Sequence, residues 1–132
     1  MGRIDRKELG HKNREWGLKA EALAAEYFLK EGYTIRERNW RHGHLEVDLI
    51  LELDRTIIFV EVKARSGEGE DPALYVDRRK RHRIVCAADS YLRRQKVLYQ
   101  YRFDIVTFTG SEENYKFAHY ADAFLPEVNS GR

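Results

Sequence analysis

Apolar and polar residues alternate, or run β-branched, from Leu45 to Ala64 on both sides of Asp54-Arg55. A period of two broken by a two-residue interruption predicts two strands and a tight turn, a β-hairpin. Upstream the period changes. From Asn13, a good N-cap residue, Trp16, Ala20, Leu23, Ala24, Tyr27 and Phe28 recur at helical spacing until Gly32, which suits a helix stop. The β-rich composition of Tyr33 to Trp40 predicts a strand between this helix and the hairpin. Downstream, Ile84, Ala87, Ala88, Tyr91 and Leu92 mark a second helix with Asp77 as its cap. Tyr101 to Thr109 then alternates as a strand, and Tyr115 to Tyr120 forms a short last one. The order helix, strand, hairpin, helix, strand, strand predicts an α/β or α+β fold, a mixed central sheet flanked by helices.

At 132 residues the chain is the size of one domain, large enough to bury a core unaided. Residues 1–12 are polar and without period and read as a mobile arm, 13–125 as the domain, and 126–132 as a tail. The single Cys86 excludes an internal disulfide. The polar start, Met1 to Arg6, has no apolar stretch for a signal peptide, Arg6 stands where a myristoylation signal needs Ser or Thr, and no segment approaches a membrane span. The expectation is a soluble, cytoplasmic protein with no membrane partner.

The hairpin carries the chemistry. If Leu53 pairs with Thr56, the same register puts Asp48 opposite Glu61 and Glu46 opposite Lys63, so four charged groups share one face. Leu45, Val47, Leu49 and Leu51 with Ile58, Val60 and Val62 then form the core face. Like charges directly opposed cost stability. Glu61 and Lys63 also interrupt a strand apolar enough to be central, where charge is expensive. A divalent cation would account for both, since Mg²⁺ takes one or two carboxylates and completes its shell with water and phosphate oxygens. The plainer alternative is a solvated sheet face with a Glu46–Lys63 pair and two splayed carboxylates. At 100° per residue Glu21 falls at the margin of the first helix's apolar stripe, so it can look into the same cleft.

Net charge is only +2, so the distribution of charge decides. The second helix opens with Arg78-Arg79-Lys80-Arg81-His82-Arg83. Cations there oppose the helix dipole and suggest a use, phosphate binding, although a solvated basic face would look the same. Arg79 and Arg83 follow one exposed face while Lys80 leans toward the buried side. His42 and His44 are spaced for zinc but lack nearby partner ligands, and flanking the cleft is the alternative. The Gly-rich run from Arg65 to Ala73 predicts a flexible loop beside Lys63 that could close over a substrate. Arg102 and Asp104 read as a structural ion pair.

These residues also carry a resemblance. Gly17, Ala20-Glu21 and Ala24; Asn39-Trp40-Arg41; Glu46-Val47-Asp48-Leu49-Ile50; Phe59-Val60-Glu61-Val62-Lys63 with Arg65; Lys80 with Arg83-Ile84; Arg102-Phe103-Asp104; and Ala123-Phe124 occur in the order found in the YraN family. That bacterial family is similar to the archaeal Holliday-junction resolvases, and Asp48, Glu61 and Lys63 resemble the D-x(n)-E-x-K signature of restriction-endonuclease-like nucleases. The resemblance implies a restriction-endonuclease-like fold and Mg²⁺-dependent hydrolysis of DNA, on branched DNA in particular, with Mn²⁺ able to substitute. It implies Asp48, Glu61 and Glu21 as metal ligands and Lys63 as the residue that orients or activates water, while the distribution of charge makes Arg41, Arg65, Arg78, Arg79, Lys80 and Arg83 the expected contacts to nucleic acid. It also motivates a homodimer, as a two-fold substrate suits a two-fold enzyme. Ala20 and Leu45 depart from the family's Gly before each Glu, and the bulk of Leu45 bears on how closely DNA approaches. Two rivals remain open, a nucleic-acid-binding module that has kept the fold without activity and an interaction protein whose acidic cluster is structural.

Overall fold

The structure, a computed structural model, describes the backbone of residues 6–66 and 76–126 and the side chains of 14–66 and 76–126. The expected Gly-rich loop falls almost wholly outside these residues, as does the tail from 127. Seven elements follow in order: α1 (Arg6–Lys30), β1 (Thr34–His42), β2 (Leu45–Leu53), β3 (Thr56–Arg65), α2 (Arg78–Leu92), β4 (Gln100–Gly110) and β5 (Tyr115–Tyr120). One five-stranded sheet runs β1-β2-β3-β4-β5. It is mixed: β3 and β4 are parallel, and every other neighbouring pair is antiparallel. A parallel pair needs a long crossover, and α2 lies within it.

Each face of the sheet is covered by one helix. Trp16, Ala20, Ala24, Ala25 and Phe28 of α1 bury against Leu49, Leu51, Ile58, Val60, Val106 and Phe108. Ile84, Ala87, Ala88 and Tyr91 of α2 bury against Val47, Ile50, Ile57, Phe59, Phe103 and Ile105. β3 is therefore central with both faces covered, as its run of apolar residues predicts. The hairpin turn is the expected one. Asp54 and Arg55 have φ of 50° and 62°, the left-handed pair a two-residue turn requires to match strand twist.

α1 ends as its sequence predicts. Gly32 has φ 91°, Tyr33 N–H donates to Phe28 O at 2.9 Å and Gly32 N–H to Leu29 O at 3.1 Å. The rings of Phe28 and Tyr33 meet at 5.0 Å, which closes a Schellman motif with its apolar contact. The start differs from expectation. The helix begins at Arg6, so Asn13 lies inside it and does not cap it, and residues 6–12 continue the helix instead of forming an arm. Adding turns to an existing helix costs far less than nucleating one, so the segment anchored by Trp16 to Phe28 can extend backward through residues that show no apolar period.

β2 holds a second difference. Leu49 and Leu51 share a core face as expected, the one toward α1, but Val47, with Leu45 packed beside it, belongs to the α2-side core. Alternation breaks between them, at Asp48. The partner strand breaks at the same level: Arg38 pairs with Leu49 and Trp40 with Val47, so Asn39 lies opposite Asp48, and Asn39 has φ 50° inside a strand. One left-handed residue re-aims the strand, as bulges do beside functional sites. The outer part of the β1–β2 hairpin is thereby turned toward α2, where Trp40 meets Tyr91 edge-on at 5.4 Å.

Candidate active site

The predicted register holds from Leu53↔Thr56 through Leu49↔Val60. Beyond that point β2 and β3 part, so Asp48 and Glu61 do not form a ladder pair, and neither do Glu46 and Lys63. Glu46 pairs instead with Arg41 of β1, 3.5 Å away. Asp48 uses the gap. Its Oδ2 accepts a hydrogen bond from Val62 N–H at 2.8 Å, in the position a β2 carbonyl would otherwise take. The carboxylate is thus inserted between two strands of the sheet, next to Glu61.

Glu61 is 5% exposed and is one of three buried polar or charged side chains among the described residues. Two ammonium groups serve the same oxygen: Lys63 Nζ lies 3.8 Å and Lys80 Nζ 3.3 Å from Glu61 Oε1. Lys63 comes from β3 itself and Lys80 from the first turn of α2. That turn is fixed by the expected cap, since Asp77 Oδ1 accepts from Lys80 N–H at 2.9 Å. Burial first, and then the charge of Glu61, push the Asp48 carboxyl up to about 7, against the Val62 hydrogen bond and the Lys80 charge that favour its ionised form. Glu21, half-buried on α1, is raised by its own burial and by Asp48 and Glu46, while a hydrogen bond from the Asn39 side chain works the other way. Glu21, Asp48, Glu61 and Lys63 therefore come together from α1, β2 and β3.

The donor set fits a hard, oxygen-preferring cation. Among the described residues no three His, Cys, Asp or Glu groups are close enough to enclose an ion. Asp48 and Glu61, with Glu21 nearby, would supply one or two carboxylates and leave the remaining positions to water or phosphate, the coordination Mg²⁺ accepts. His42 is otherwise engaged, stacked on Trp40 at 6.1 Å with its Nδ1 2.9 Å from an Arg94 nitrogen; His44 is exposed.

Arg78, Arg79 and Arg83 are exposed on α2, Arg65 is exposed at the end of β3, and Arg41 is exposed on β1. Arg102 and Asp104 make the expected ion pair at 3.0 Å on the α1 side of the sheet, apart from this cluster.

Asn39 is the residue sequence reasoning missed. It lies at the level of Asp48 between two paired positions and its side chain bonds Glu21, so it sits beside the acidic cluster. The available signal was its type: Asn is poor in strands but tolerates the left-handed region better than any residue except Gly. Asn39→Ala and Asn39→Gly both lose the hydrogen bond to Glu21, and the Ala variant should melt below the Gly variant by about 1–2 kcal/mol from left-handed backbone alone. Equal thermal melts for Ala and Gly variants would mean that position 39 is not held left-handed.

A mixed five-stranded sheet between two helices, with an acidic cluster where β2 and β3 part and a basic helix opening beside it, defines an α+β protein with a charged site at the split. The chain belongs to the uncharacterised protein family UPF0102, whose model matches residues 20–108, as the sequence motifs predict. A UPF0102 protein of Bacteroides thetaiotaomicron is 38% identical over 88% of this chain and 97% of its own. One of Nitratidesulfovibrio vulgaris is 39% identical over 87% of this chain and 88% of its own. One of Syntrophomonas wolfei is 40% identical over 85% and 99%. Among the described residues no helix is long and apolar enough to cross a membrane.

Proposed function

We propose that the protein is a metal-dependent endonuclease that hydrolyses phosphodiester bonds of DNA, with a restriction-endonuclease-like fold and branched DNA as the substrate its sequence motifs suggest. The observation that carries this reading is the pair of carboxylates, Asp48 and Glu61, held together inside a sheet beside two lysines. Repelling acids in a desolvated position are costly to a fold and useful to a cation site.

Asp48 and Glu61 would hold Mg²⁺ or Mn²⁺, with Glu21 as an outer carboxylate for a second ion or a bound water. The ion supplies a water of lowered pKa and neutralises charge developing on the phosphate. Lys63, fixed beside Glu61, orients the attacking water and offsets negative charge at the phosphate. Val62 N–H holds the Asp48 carboxylate in place, and Asn39 does the same for Glu21. Arg79 and Arg83 on the exposed side of α2 receive the DNA backbone, with Arg78, Arg65 and Arg41 around them.

The test is incubation of the protein with linear, flapped and four-way DNA in Mg²⁺, Mn²⁺ or EDTA. Cutting is expected only with metal and is expected to disappear in Glu61→Ala. In the same preparations, Arg79→Ala with Arg83→Ala should flatten the log–log salt dependence of binding by about two units, as each lost phosphate contact removes ~0.9. Binding without cutting in any metal would replace this reading with that of a binding module, and an unchanged salt slope would take α2 off the DNA surface.

A further inference from the structure

We propose that Lys80 is an internal counter-cation of the carboxylate pair, and that its release to a bound phosphate couples nucleic-acid capture by α2 to cation loading at Asp48 and Glu61. This rests on the metal-dependent reading above and adds a control of the same site.

Lys80 is a cation of the basic helix that meets the buried acid. Its ammonium lies 3.3 Å from Glu61 Oε1 on a side chain that is 42% exposed, so it touches a buried acid while remaining within reach of a ligand in solution. Lys63 meets the same oxygen at 3.8 Å but is only 19% exposed and comes from the same strand as Glu61. Lys80 comes from a different element, the one whose neighbouring Arg79 and Arg83 are exposed for phosphate. Its charge also acts on Asp48. A single positive charge influencing both carboxylates stands close to where a divalent ion would have to sit.

The backbone of Lys80 is pinned by the Asp77 cap. The helix therefore need not move, and only the four-carbon stem swings. A cation beside the positive end of a helix is unfavourable on its own, so the Glu61 contact explains why a lysine is kept there. With no DNA bound, Lys80 neutralises Glu61 and repels an incoming divalent ion. A phosphate lying along α2 offers Lys80 another anion, and the carboxylates become available together with the substrate. By linkage the effect is reciprocal: a cation at the pair frees Lys80 and tightens phosphate binding.

The experiment is Mn²⁺ titration calorimetry on wild type, Lys80→Met and Lys80→Arg, each alone and with a phosphorothioate duplex that resists hydrolysis. Removing one ammonium about 5 Å from a divalent ion, in a water-accessible site, should tighten Mn²⁺ binding about tenfold in the DNA-free Met variant. The factor by which DNA improves Mn²⁺ affinity should fall by the same about tenfold in Lys80→Met and persist in Lys80→Arg. Thermal melts in EDTA check folding, and Lys80→Gln replaces the Met variant if that one fails to fold. Mn²⁺ binding in wild type that Lys80→Met leaves unchanged, with and without DNA, overturns the coupling and leaves the metal site standing. Absence of Mn²⁺ binding in wild type and all variants overturns both.

Discussion

Asp48→Asn is expected to raise the stability of the metal-free protein by about 2–4 kcal/mol at pH 8 and to abolish its stabilisation by Mg²⁺. The cause is electrostatic. The Asp48 carboxyl is raised from 3.8 to about 7 by burial and by Glu61. An acid whose folded pKa exceeds its unfolded one binds more protons when folded, so its ionisation weakens the fold as pH rises between those values. The penalty is complete above about pH 7 and absent below about pH 4. Asparagine keeps the shape and the oxygen that accepts from Val62 N–H, and it carries no charge. The mutant's advantage should therefore be full at pH 8, shrink through pH 6 and vanish near pH 4. Mg²⁺ at a hundred times its dissociation constant would stabilise wild type by ~2.7 kcal/mol through binding to the folded site alone, and the variant should lose that shift along with any cutting. Melts from pH 4 to 8, in EDTA and in Mg²⁺, measure both effects. A mutant less stable than wild type at pH 8 in EDTA, or one that keeps its Mg²⁺ shift, would mean that the two carboxylates do not oppose each other or do not share an ion.

The second large effect lies at Asp104, which is fully buried. Its Oδ1 accepts from Arg102 Nε and from Asp122 N–H, both at 3.0 Å. Its Oδ2 takes a second Arg102 nitrogen at 3.1 Å and lies 2.8 Å from His119 Nε2. The far nitrogen of His119 is 2.9 Å from Tyr27 OH, and Arg102 donates to Tyr33 OH at 2.9 Å. One carboxylate thus ties α1, the segment leading into β1, β4, β5 and the turn after β5. Asp104→Ala leaves a guanidinium facing an empty position and should cost about 3–5 kcal/mol in urea melts; a loss below ~1 kcal/mol would show that water replaces the carboxylate freely. Burial alone would raise the Asp104 carboxyl, but the hydrogen bonds from His119, Arg102 and Asp122 N–H overcome it and hold the group below the usual range. Its contribution should accordingly be present in full above about pH 4 and fade as pH falls further, a direction opposite to that of Asp48.

Periodicity made the elements legible because each helix and strand buries one defined face. The hairpin register followed from a two-residue turn, and with it the proximity of Asp48 to Glu61. What periodicity could not show was where a strand ceases to alternate. Leu45 and Val47 share parity with Leu49 and Leu51, yet the break at Asn39 and Asp48 sends them to the other side of the sheet. That break depends on the φ of Asn39, a backbone choice that hydrophobic pattern does not encode. The contact of Lys80 with Glu61 was only half visible: helical angle put the lysine toward the buried side, but the packing of α2 against β3 decides which oxygen it meets. The start of α1 was missed because propagation of an anchored helix leaves no apolar mark.

The bond between Val62 N–H and Asp48 bears on how such a chain could drift. A side chain here completes the sheet, so the position answers to architecture as well as to chemistry. Descendants released from selection for activity would still be filtered for an oxygen at this point, and Asn or Ser would pass where Ala or Val would leave a backbone amide stranded. Loss of the proposed activity would then go with a well-folded, more stable protein, so an amide at position 48 would mark a copy that lacks the proposed cation site by its sequence alone.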